Sequence, residues 1–176
     1  MAENETVQKE IDRQENEDII LYRKFIESIR PNRYTIEQTA PGTGYDALQY
    51  DTETGERILI EIKNRDNYSY DDFPTFLLSL HKIDTMQEML VQENAQKGFV
   101  AALYPLSGKV VLFDITDTRV QDMGENDIRW VKVKKTQYDP ESPKIWQPKA
   151  VFDLKRGHHK HYSTYVYNFG LKNLDF

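Results

Sequence analysis

The chain has 176 residues, 39% hydrophobic and 30% charged, with a net charge of −6, which suits one domain with a buried core and excludes a disordered chain. No apolar run approaches the roughly 20 residues that span a bilayer, and the acidic start Met1-Ala2-Glu3-Asn4-Glu5 reads as neither a secretory signal nor a transit peptide. The absence of cysteine excludes disulfides, thiolate zinc sites and a cysteine nucleophile, and suits a reducing cytoplasm.

Residues 8–30 carry Ile11, Ile19, Tyr22, Phe25, Ile26 and Ile29 at helical spacing, and Pro31 ends that helix. A short strand is expected over 33–39 and a turn at Pro41-Gly42-Thr43-Gly44. The run Arg57-Ile58-Leu59-Ile60-Glu61-Ile62-Lys63 then reads as a strand. Alternation puts Glu61 and Lys63 on one face and Ile58, Ile60 and Ile62 on the other. Thr52-Glu53-Thr54-Gly55 suits a hairpin loop. If Asp51 pairs with Glu56 across it, the same register carries Asp46 opposite Glu61, both carboxylates on one face. Facing carboxylates repel and destabilise a sheet, so the arrangement suits a metal site. A cross-strand salt bridge to Lys63 on a solvated face is the alternative.

Residues 66–74 are polar and aromatic, with turn chemistry. A second helix is expected over 75–96, from Phe76, Leu77, Leu80, Ile83, Met86, Leu90 and Val91, with Gly98 beyond its end. Strands follow at 99–104 and 109–115. Farther on, 129–135 alternates as a strand, 139–148 with its three prolines reads as a loop, and 150–154 and 163–169 are strand candidates. The order implies an α+β fold: a central mixed β-sheet with a helix on each face and C-terminal β additions. A single domain is expected over 1–176, with a core at about 8–115 and a basic β extension at about 128–176.

Charge is unevenly spread. Residues 128–162 hold nine Lys or Arg against three Asp or Glu, while the first 27 residues hold eight acids and four bases. A basic face on an acidic body suits phosphate engaged from one side. His158-His159-Lys160-His161 has neither cysteines nor His-Glu-x-x-His spacing beside it, which argues against structural zinc. It reads as a polar loop before a strand, or, with Lys155, Arg156, Tyr162, Tyr165 and Tyr167, as a segment meeting phosphates and bases. No nucleotide-binding glycine loop and no nucleophile elbow is present.

From about Glu17 to Ile115 the chain resembles the PD-(D/E)xK, or restriction-endonuclease-like, nuclease superfamily. The resemblance rests on Asp46, the Glu61-Ile62-Lys63 tripeptide and the order of elements around them. It departs at Tyr45, where the family motif has proline. The resemblance implies a Mg²⁺- or Mn²⁺-dependent nuclease in which Asp46, Glu61 and Lys63 are catalytic. It also implies an acid from the first helix, Glu17 by its position or else Glu27. Phosphodiester hydrolysis needs phosphate charge neutralised and water activated, so Asp46 and Glu61, with the Ile62 carbonyl, are the expected ligands. Lys63 would orient or deprotonate water and stabilise the developing charge. Arg65, Lys82 and Gln87 are candidate phosphate contacts, the last two equally readable as solvated helix positions. Lys134 and Arg156 represent the basic segment. DNA is the expected substrate and RNA an open one. A homodimer, a targeting partner protein and a catalytically inactive binding module also stay open.

Overall fold

The computed structural model of the chain describes residues 2–40, 42–135, 142–155 and 157–169. At its centre lies the strand β3 (Arg57–Asn64), whose successive side chains point into two different apolar clusters. Ile58, Ile60 and Ile62 join Ile19, Tyr22, Phe25 and Ile26 of helix α1 (Ala2–Ile29). Leu59 joins Ile83, Met86 and Leu90 of helix α2 (Leu80–Gln92). Phe25 and Ile83 are fully buried, each contributing about 1.5–3 kcal/mol by leaving water.

Six strands form the main sheet, in the order β1 (Tyr34–Gln38), β2 (Ala47–Asp51), β3, β5 (Lys97–Tyr104), β6 (Lys109–Asp114) and β9 (Ser163–Asn168). The β3–β5 pair is parallel and the others antiparallel, so the sheet is mixed and the fold α+β, as expected. A second sheet orders β4 (Thr75–Ser79), β8 (Lys144–Asp153) and β7 (Ile128–Lys134), all antiparallel. It packs on the α2 side, with Phe76 stacked on Phe113 at 5.2 Å between ring centroids and Phe152 at 5.0 Å from Phe113.

Two sequence expectations are corrected here. The helix expected from residue 75 starts at Leu80, because 75–79 is strand β4. Phe76 and Leu78 alternate into the core against Phe152 and Ala150, contacts supplied by a strand some seventy residues away. Ser79, in extended conformation, is the residue before the helix. The proline-rich loop expected over 139–148 is also corrected. Residues 136–141 lie outside the described ones, and 144–148 begin the ten-residue strand β8. Pro148 fits there because β4 stops opposite Lys149, so at Pro148 the strand is paired to β7 alone and can lack an N–H on its open side. Beyond Lys149, β7 and β8 continue as a two-stranded arm.

Candidate active site

The β2–β3 hairpin is pinned at both ends. At its loop, Asp51 accepts the Glu53 N–H at 2.9 Å and takes the Arg33 guanidinium at 2.7 Å, while Glu56 pairs across as expected. At its open end Gly44 has φ +95, and a Cβ there would stand 2.4 Å from Thr85 of α2, so only glycine passes. This turn delivers Asp46 beside β3. Its N–H donates to the Ile60 carbonyl at 2.9 Å, and its Oδ2 accepts the Ile62 N–H at 2.6 Å. Ala47 pairs with Ile60, the register that sets Asp46 against Glu61.

Glu61 is fully buried. Lys63 Nζ lies 2.5 Å from Oε1 and Lys82 Nζ 3.0 Å from Oε2, and Lys82 also donates to the Gly44 carbonyl at 3.4 Å. Each carboxylate oxygen of Glu61 is thus held by its own lysine. Burial and the Glu61 charge push the Asp46 carboxyl up to about 6, against the pull of Lys63, the Ile62 N–H and Lys82. For Lys63, burial works toward neutrality, but Glu61 and Asp46 outweigh it and hold its pKa above the ordinary lysine value. Lys82 therefore belongs to the carboxylate centre rather than to a free helix face. Gln87 instead binds the Ile115 carbonyl and Arg119.

The helix acid is corrected. Glu17 is half exposed and paired with Arg13 on the surface of α1 at 2.5 Å. Glu27 sits near the other end of the helix, accepting the Asn32 N–H. Asp18 is the helix acid that reaches the end of β3: Asn64 Nδ2 donates to it at 2.8 Å, Lys63 attracts it electrostatically, and burial pushes its pKa up to about 6. Its helical phase was the available signal. Asp18, Tyr22, Phe25 and Ile29 fall on one stripe, whereas Glu17 lies about 100° around the helix.

Arg65 continues β3 past Asn64, its N–H bonded to the Leu103 carbonyl and its guanidinium 4.8 Å from the Phe76 ring. Sequence reasoning missed Lys149 of β8. Burial, then Lys63 and Arg65, lower its pKa, so it stands in their field at the rim of the centre. Across the second sheet it is flanked by Ser79 and Arg129. Lys134 is exposed far out on the arm, and Arg156 lies outside the described residues. His159 stacks on Tyr162 at 4.6 Å, and His161 comes within 3.3 Å of Asp127, a local network remote in contacts from Glu61.

Among the described residues no three His, Cys, Asp or Glu side chains gather as a metal-binding group. A cation at this centre would rest on two carboxylates and backbone oxygen. No helix among the described residues is long and apolar enough to cross a membrane. The chain matches no protein-family model, and no curated protein matches it.

Proposed function

We propose that the protein is a divalent-metal-dependent nuclease that hydrolyses phosphodiester bonds in DNA. The observation that carries this reading is Glu61: a fully buried carboxylate facing a second acid, with lysines closing around it. A structural sheet gains little from paired acids, whereas hard cations prefer oxygen donors of this kind. The division of β3 between an α1 cluster and an α2 cluster, one helix against each face, supports a restriction-endonuclease-like core.

Asp46 and Glu61, with the Ile62 carbonyl, would hold Mg²⁺ or Mn²⁺. When bound, the cation neutralises phosphate charge and acidifies water. Lys63 keeps its proton, because two acids raise its affinity for it. It therefore serves as a fixed positive charge and hydrogen-bond donor toward the charge developing on the phosphoryl oxygens, rather than as the base. Lys82 neutralises the second Glu61 oxygen and holds the Gly44 turn in place. Asp18, through Asn64, positions the end of β3 that carries Lys63. Arg65 and Lys149 supply positive charge toward flanking phosphates.

The lysine clamp on Glu61 also favours a second reading, a nucleic-acid-binding or protein-binding module whose centre is an ion-paired cluster. Incubating wild type and Lys63→Ala with single-stranded, duplex, nicked and branched DNA, and with RNA, in Mg²⁺ and Mn²⁺ separates the two. Cleavage by wild type that Lys63→Ala loses supports the nuclease. Binding with no cleavage of any substrate refutes it.

A further inference from the structure

We infer that the face of the β7–β8 arm bearing Trp130 and Trp146 binds single-stranded nucleic acid, stacking bases on these two tryptophans and meeting phosphates with Lys132, Lys134 and Lys144. The inference builds on the nucleic-acid side of the proposed function and not on cleavage itself.

The register places these residues together. Trp130 pairs with Pro148, Lys132 with Trp146 and Lys134 with Lys144, three successive rows whose side chains share one face of the ribbon. The two tryptophans are diagonal neighbours, roughly 7–8 Å apart at the backbone. Each is 62% exposed, although tryptophan is normally among the better-buried residues. The three lysines are exposed as well; on the opposite face Val131, Val133 and Gln147 are partly covered and Arg129 and Ile145 exposed. Nowhere in 128–134 or 144–149 is there an acid, against five Lys or Arg.

Flat aromatic faces between cations match the two chemistries that a single strand offers together, unpaired bases and a phosphate chain. A duplex hides its base faces. The root of the arm is the Lys149–Arg129 row, whose side chains lie on the opposite face of the ribbon from the two tryptophans. At ~3.4 Å per strand residue, Trp146 lies about 10 Å and Lys144 about 17 Å along β8 from Lys149.

Trp130 and Trp146 are the only tryptophans in the chain, so their emission reports on the arm alone. The experiment titrates the full chain in EDTA with oligothymidylate, following tryptophan emission and, with labelled oligonucleotide, anisotropy. Saturable quenching is expected, with Trp130→Ala and Trp146→Ala each weakening binding about 5- to 150-fold and Trp→Phe restoring most of it. Replacing all three lysines by glutamine should lower the salt slope by about 2, at roughly 0.7 per phosphate on a single strand. Unchanged emission, or alanine variants that bind as well as wild type, overturns the inference. Tighter tryptophan-dependent binding of a duplex does so too, as does an emission shift with phosphatidylserine vesicles where the oligonucleotide gives none. If the arm binds but no substrate is cut in Mg²⁺ or Mn²⁺, the inference stands and the nuclease reading falls. If DNA is cut while emission stays unchanged, the reverse holds.

Discussion

Replacing Asp46 by asparagine should stabilise the metal-free protein at neutral pH. Folding raises this carboxyl from an ordinary 3.8 to about 6, with the attractions of Lys63, Lys82 and the Ile62 N–H already counted. A shift of about two units, at ~1.36 kcal/mol each, makes the ionised side chain cost roughly 3 kcal/mol above pH 7. The sign follows from the direction. A raised carboxyl leaves stability intact below pH 4, where folded and unfolded chains are both protonated, and stability is lost as pH rises toward 6. Asp18, raised to about 6 as well, adds a fall in the same window. The substituted amide keeps an oxygen for the Ile62 N–H and removes only the charge. Thermal melts in EDTA should therefore show Asp46→Asn above wild type by about 6–12 °C at pH 8, and equal to it near pH 3. In saturating Mn²⁺ the order should reverse, because wild type gains ligand stabilisation that the variant lacks. An Asp46→Asn protein less stable than wild type in EDTA at pH 8 would show that the carboxylate is a structural ion-pair partner, and would refute the reasoning.

The neighbouring acid behaves oppositely. Glu61→Gln keeps the volume but strips Lys63 and Lys82 of their shared counter-charge, so urea denaturation in EDTA should show a loss of about 1–3 kcal/mol. Lys63→Ala should lose DNA cleavage by at least about 100-fold while retaining the Mn²⁺-induced rise in melting temperature, since it acts on transition-state charge that the ground state lacks. Glu17→Ala should change stability by less than about 0.5 kcal/mol and leave cleavage rates alone, because its ion pair with Arg13 is exposed. Asp18→Ala, by contrast, frees Asn64 beside Lys63 and should slow cleavage measurably in the same gel assay.

What could be read from the sequence was whatever depends on near neighbours. The β2–β3 register followed from a four-residue loop and face alternation, and the hairpin forms in that register, with Asp51 bonded to Glu56 and Ala47 paired with Ile60. The first helix and strands β5, β6, β7 and β9 followed from periodicity, with ends displaced by a few residues at most except at the start of α1. What escaped depends on distant chain. Thr75–Ser79 carries a pattern that also fits a helix, and only pairing with β8 decides for strand. Prolines concealed the first half of β8, and with it Lys149, because its tolerance of Pro148 rests on where β4 happens to stop, whereas the half from Ala150 on was legible as a strand. Asp18 was legible too: position early in the helix points to Glu17, but helical phase separates the two acids and puts Asp18 on the buried stripe.

The pairing of β4 with β8 also bears on the order in which the molecule assembles. Asp46, Glu61 and Lys63 are brought together by a hairpin of short loop, which can close as soon as its own residues exist. Phe76 and Leu78, on a strand only a dozen residues later, have their hydrogen-bonding partner in 149–153. Until that segment has been synthesised, β4 is an unpaired edge carrying two large apolar side chains, the kind of surface that invites association with other chains. Closing so long a loop is slow, and the rim around Lys63 lacks Lys149 until it closes. The carboxylate pair is thus early and its cationic surroundings late. A chain that stops short of Lys144 would carry the whole acidic motif, yet remain prone to aggregation.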